Sequence, residues 1–266
     1  MRYVYVIWML FIFSACELGR ELDIQSSDES AGYFLECYFR PGDLYNLTAT
    51  KLAPISEPQL LDYSLEFQVH VIEDEKIKLY HSLFSHPDKD LIYNYGSQKV
   101  AERPRNGIIK LEVVTPTGEV ITGETIVPEQ ITIHSASVET NRLCYNFELV
   151  GDKGQDYYIA TVMAKGGNEN ILIRYLNYYD YKVSNIDGMA RIQVDIQNSI
   201  MPEVDKIIIN LKRVSKENYE YQLALREIMN SNSDNLTMPV MLQGNLTSAL
   251  GIFTCYTEVE YELKVK

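Results

Sequence analysis

The sequence predicts a mainly β protein: two β-sandwich domains, with one helix inserted late in the second. Three features of the 266 residues carry that expectation. Apolar and polar residues alternate in many short segments, turn-forming residues recur between those segments, and a single stretch repeats its apolar residues at helical spacing.

The first sixteen residues form a separate element. Arg2 supplies a positive charge, Tyr3 to Phe13 (YVYVIWMLFIF) form an apolar run, and Ser14, Ala15 and Cys16 close it with small residues and a thiol. Charge, short apolar run and small-residue site in that order make a secretory signal. The run is short of the roughly 20 apolar residues a membrane-spanning helix needs. Residues 1–15 are therefore expected to be a signal peptide cut before Cys16, a cysteine that takes covalent lipid; no other cofactor is expected. Acyl chains stabilise a membrane anchor by about 0.8 kcal/mol per buried methylene, so two or three chains hold stably. Residues 16–31 follow as the lipidated Cys16 and a polar, acidic, Ser-rich tether, whose fourteen residues 17–30 would reach about 20 Å as a flexible chain.

The alternating segments come next. Leu65, Phe67, Val69 and Val71 interleave with Glu66, Gln68 and His70, the period-2 signature of a half-buried strand. Ile192, Val194 and Ile196 repeat the pattern, as do Val259, Tyr261, Leu263 and Val265 against Glu258, Glu260, Glu262 and Lys264. Runs at Ile108 to Val114, Tyr157 to Met163, Ile171 to Leu176 and Lys206 to Leu211 suit more central strands. Turns such as Pro41-Gly42-Asp43, Pro116-Thr117-Gly118 and Asp187-Gly188 separate them; glycine supplies positive φ and proline pre-sets its own. Near residues 216–229 a helix is expected, capped by Ser215, with Tyr221, Leu225, Ile228 and Met229 along one face. The chain divides at Val127-Pro128, placing one sandwich in residues 32–127 and the helix-bearing one in residues 128–266.

Composition narrows the partners. A net charge of −13, one unit more negative without Arg2, repels phosphate backbones, whose binding rests on Lys and Arg. Nucleic acid is not an expected partner. Beyond Cys16, Cys37, Cys144 and Cys255 sit in strand-like contexts and suit buried free thiols, although one disulfide among them stays open.

Four segments together resemble a family of Gram-negative outer-membrane lipoproteins of unknown function, commonly encoded beside TonB-dependent transporters. They are FLECYFRPGDLYNLTATKLAPI from Phe34, VPEQITIHSASV from Val127, RVSKENYEYQLALREI from Arg213, and GNLTSALGIFTCYTEVEYELKV from Gly244. Where that family often has glycines before its Gly-Ile-Phe element, this chain has Ser248-Ala249-Leu250. The resemblance implies immunoglobulin- or fibronectin-like domains, an outer-membrane location with the cell surface favoured, and a part in nutrient uptake. It supplies no catalytic residues.

Chemistry-bearing motifs are few. The sequence has no G-x-S-x-G, H-E-x-x-H, P-loop or G-x-G-x-x-G. His81 and His86, near Asp88 and Asp90, make a conceivable metal patch, but an exposed loop is the favoured reading, and no metal site is expected. Asn-X-Thr triplets at Asn46, Asn235 and Asn245 would matter only in a eukaryotic secretory route. Tyrosine is abundant, with twenty residues. Tyr175, Tyr178, Tyr179 and Tyr181 crowd into RYLNYYDYKV, where strand alternation divides the rings between two faces. They are the candidate contacts for a small molecule, glycan, peptide or partner protein, against ordinary core packing. The expected function is a non-catalytic membrane-anchored accessory of a TonB-dependent transporter. A fimbria-like structural or adhesive subunit is the alternative, and an exported glycan hydrolase a third.

Overall fold

The computed structural model describes residues 32–52, 66–86, 91–149, 156–180, 182–183, 185–186, 188–231 and 242–265. Cys16 with its leader and tether, Tyr181 and Asn235 lie outside them. Among the described residues, fifteen strands and one α-helix follow in chain order. They are β1 (Tyr33–Phe39), β2 (Leu44–Lys51), β3 (Gln68–Ile72), β4 (Lys76–His86), β5 (Leu91–Val100), β6 (Ile108–Val114), β7 (Val120–Ile126), β8 (Ile133–Glu139), β9 (Arg142–Glu148) and β10 (Tyr157–Lys165). After them come β11 (Ile171–Tyr179), β12 (Asn185–Ile186), β13 (Met189–Asp195), β14 (Lys206–Val214), the helix α1 (Lys216–Ser231) and β15 (Leu250–Lys264). The protein is mainly β, as the alternation predicts, and its layers are those of a β-sandwich.

An eleven-stranded sheet runs β11-β10-β14-β15-β1-β2-β5-β4-β3-β6-β7, and a four-stranded sheet runs β12-β13-β9-β8. Every pairing is antiparallel except one: β1 and β15 lie parallel, with Cys37 opposite Phe253 and Phe39 opposite Cys255. Two hydrophobic cores result. The first gathers residues such as Leu35, Phe39, Leu47, Val69 and Ile109 and ends at Val127, with Phe253 and Cys255 added from β15. The second starts at Ile131 and is built on Tyr145, Phe147, Tyr158, Ile192 and Ile209, flanked by Val259, Tyr261 and Leu263 from the far half of the same strand. β15 thus serves both cores. Residues Gly251 to Thr257 are buried on both faces of the sheet, so something must cover the outer one.

That cover is α1. Ser215 caps it, its hydroxyl accepting the Asn218 N–H at 3.2 Å, which satisfies one of the orphan donors at the helix start. Tyr221 is fully buried and Leu225 and Ile228 half-buried, whereas Met229 is 74% exposed. The apolar stripe therefore meets the sheet for two turns and then leaves it.

Two asparagines act as surrogate peptide groups. Buried Asn94 accepts the Ala49 N–H and donates to the Ala49 carbonyl, both at 2.8 Å. It bridges β2 and β5 just past Leu47 and Tyr95, the last pair in their register. Asn245 clasps the ends of the first half of the sheet together. Its amide donates to the carbonyls of Glu124 and Phe253 at 2.7 Å each, and its oxygen accepts the Phe253 N–H at 2.9 Å. Beside it, Leu246 bridges to Gly123 of β7, and the Thr247 N–H donates to the Thr122 carbonyl at 2.8 Å. This half of the sheet curls until β7 meets the segment that leads into β15, around the first core.

Glycine is required at the start of β15. Gly251 has φ +109°, and a Cβ there would lie 1.9 Å from the Leu35 carbonyl oxygen; a Cβ on Gly244 would lie 1.6 Å from the Gly251 oxygen. Ser248, in the loop where glycines are commoner in the resembled family, still takes φ 55°, a left-handed conformation that a non-glycine residue adopts at a strain cost.

Candidate functional site

The outer face of the large sheet and the inner side of α1 enclose a cleft of about 410 Å³. Six strands contribute to it: β1, β5, β10, β11, β14 and β15. Their alternation explains how. On β1 the odd residues Leu35, Cys37 and Phe39 enter the first core, which turns Glu36 and Tyr38 outward. On β15, Phe253 and Cys255 point inward and Tyr256 outward. Ile159 and Thr161 of β10 and Val214 of β14 form the floor, and Asn218, Gln222 and Leu225 project from the helix wall.

A hydrogen-bond network ties the wall to the floor. Tyr221 Oη donates to Glu36 Oε1 at 2.8 Å, and Gln222 Nε2 donates to Tyr38 Oη at 3.0 Å. Burial raises the Glu36 carboxyl above its ordinary range, opposed by the hydroxyls of Tyr221 and Tyr38. Burial likewise pushes the Tyr38 and Tyr256 hydroxyls well up. Lys212 Nζ lies 4.7 Å from the Tyr256 ring centroid and 3.9 Å from Glu258 Oε2. Asn218 is almost wholly buried, and its Oδ1 has no hydrogen-bond partner. Buried acceptors of this kind are seldom left unmet.

The tyrosines singled out in the sequence separate by face. Tyr178 lines the cleft; Tyr219 packs edge-on to it at 5.9 Å, and the Arg226 guanidinium sits 4.5 Å from its centroid. Tyr175 and Tyr179 point the other way and pack, partly buried, against the second core. The Gln197 N–H reaches the Tyr175 hydroxyl at 3.4 Å. One strand therefore gives its rings to two tasks. Glu36, Tyr38, Tyr93, Gln222 and Tyr256 also line the cleft, and no motif in the sequence singles them out. The available signal was polar or aromatic residues at the outward positions of strands whose inward positions are plainly core, as in ECYF and TCYT.

Other candidate groups lie elsewhere. Cys37, Cys144 and Cys255 are free thiols, the first and last buried. Among the described residues no three His, Cys, Asp or Glu side chains gather in a metal-binding group. The His86 side chain, with Asp88 and Asp90, falls outside the described part. Asn46 sits on β2, and the Asn245 amide is consumed by its clasp. Away from the cleft, Arg213 is 2% exposed and sits 3.3 Å from buried Asp156, which also accepts the Tyr158 hydroxyl at 3.1 Å.

The chain belongs to the family described as a domain of unknown function, DUF4249, whose model matches residues 18–262. No curated protein matches it in sequence.

Proposed function

We propose that this DUF4249 protein is a non-catalytic lipoprotein, held in the outer membrane by lipid on Cys16, that captures a ligand for a TonB-dependent transporter. The cleft under α1 carries this reading. Its volume falls in the 300–1,000 Å³ range of small-molecule sites, and it joins apolar and aromatic walls to a few converging polar groups. Tyr178 lines it, and the exposed Arg226 sits against the Tyr178 ring.

Further support comes from outside the cleft. The order of charge, apolar run and Ser14-Ala15-Cys16 is that of a lipidated leader. Residues 17–30 are polar enough to tether the body away from a lipid surface, and the cell surface is the favoured face. The resemblance to lipoproteins encoded beside TonB-dependent transporters supplies the partner. In this reading, two immunoglobulin-like units, divided near Val127, share β15.

Isolation of the tagged full chain from outer membranes is the test. A co-eluting TonB-dependent transporter, and an N-terminal peptide carrying a lipidated Cys16, are expected. Recovery of the chain alone, or an unmodified Cys16, would sink the proposal.

One observation favours a structural or adhesive subunit instead. β11 ends the eleven-stranded sheet without a pairing strand among the described residues, and it exposes Ile171 by 51% and Leu176 by 47%. Unprotected edges invite strand addition. Ladders of multimers on native gels would support that reading; a single species at all concentrations would remove it.

A further inference from the structure

The cleft's shape and lining narrow what it holds. Glu36 stands opposite Ile252 and Lys212 opposite Glu258, six positions apart along β15. At about 3.3 Å per strand residue, the two charged groups are about 20 Å apart along the strand direction. A volume of about 410 Å³ spread over such a length leaves room for a single extended chain.

Charge excludes several classes. One acid and one base line the cleft, and each is engaged already, Glu36 by Tyr221 and Lys212 by Tyr256 and Glu258. No cluster of cations is present to hold a phosphorylated or polyacidic ligand, which needs Arg- or Lys-rich donors. A plain acyl chain would offer no donor to the unpartnered Asn218 Oδ1 and would desolvate Glu36 and Gln222, an unfavourable burial. The cleft is lined by the apolar sides of tyrosine rings and an acceptor-rich set of polar atoms, with Tyr93, Tyr256 and Asn218 set deepest. The polar atoms are the carboxylate of Glu36, the carbonyl oxygen of Gln222 and the unpartnered Oδ1 of Asn218. The matching ligand has flat apolar faces, many hydroxyl donors and no net charge.

We infer that the cleft takes a linear, uncharged oligosaccharide, its rings stacked on Tyr178 and Tyr38 and its hydroxyls held by Glu36, Asn218 and Gln222. This rests on the ligand-capture reading above and names the ligand class for it. Tyr178 is the outermost ring and sets the entry. Gln222 positions Tyr38 while keeping its carbonyl oxygen for the sugar. Arg226 and Tyr219, both from α1, brace the Tyr178 ring.

The test uses the full chain on an array of neutral plant, algal, host and microbial oligosaccharides, followed by calorimetry with the hexasaccharides that are retained. Saturable binding of at least one neutral glycan is expected. It should weaken at least tenfold in Tyr178→Ala, persist in Tyr178→Phe, and vanish in Leu225→Trp, which fills the cleft from the helix side. Hexagalacturonate should bind more weakly than a neutral chain of equal length. An empty array, or glycan binding indifferent to both Tyr178→Ala and Leu225→Trp, would overturn the inference. So would a hexapeptide library that binds where glycans do not, although ligand capture would then stand. Co-purification with a transporter but no glycan binding would likewise remove this inference alone.

Discussion

Replacing Asn245 by alanine should open the seam where the curled sheet closes on itself. The asparagine makes three hydrogen bonds, to Glu124 O, Phe253 O and Phe253 N. The contact with Glu124 is exposed, so its loss is worth about 0.5 kcal/mol. The two on Phe253 are half-buried and leave backbone groups unmet, costing about 1 to 1.5 kcal/mol each. The total is about 3 kcal/mol. For a chain of this size that lowers Tm by about 6 to 12 °C. With a urea m-value near 2 kcal/mol/M, the midpoint falls by about 1.5 M. Circular dichroism through a urea titration measures it. Thr247→Ala serves as the comparison, because its hydroxyl makes only exposed contacts, with the N–H, hydroxyl and carbonyl of Thr122, and should cost about 1 kcal/mol. An Asn245→Ala loss no larger than that of Thr247→Ala would refute the clasp.

Three further outcomes follow from buried polar groups. Asp156→Ala leaves Arg213 buried with only Glu129, at 4.0 Å, for a counter-charge, and should destabilise by about 3 to 5 kcal/mol in the same titration; a loss under about 1 kcal/mol would show that solvent reaches the pair. Because the folded Glu36 pKa is raised above its unfolded value, its contribution is fully present below about pH 4.3 and is lost as pH rises through the folded value. The Tm of the native chain relative to Glu36→Gln should therefore fall between pH 4 and pH 8, and a rise over that interval would contradict the burial of the carboxyl. Burial pushes the Cys255 thiol up to about 12 and that of Cys37 well above the ordinary range, so neither should alkylate at pH 8 until urea unfolds the chain. Mass spectrometry of iodoacetamide-treated peptides reads this, with half-buried Cys144 expected to react first.

Much of the fold was legible because burial leaves a period. Ile192, Val194 and Ile196 alternate and are buried as expected, and Ser215 caps its helix. Met229 misled, because spacing places a residue on a face but says nothing of where the supporting sheet ends. Pairing between distant segments leaves no such mark: nothing in YFLECYF or LGIFTCYT announces that β1 and β15 run parallel. The cleft was harder still. Tyr178 was legible within a crowded cluster, whereas Glu36, Tyr256 and Gln222 come from segments far apart in sequence, each unremarkable alone. The Gly244-Asn245 and Gly251-Ile252-Phe253 elements mark a close backbone approach, and only the coordinates reveal which strand is approached.

Placing β15 between β1 and β14 has a consequence for biogenesis. A polypeptide made from its N-terminus presents β1 and β14 to the surroundings with their shared neighbour still missing, and neither core can be sealed until β15 emerges. Contacts so distant in sequence slow folding and prolong the exposure of sticky surface. Chaperone dependence, and rapid proteolysis of species that stop short of Gly251, are the expected signs of a chain whose last stretch completes both halves.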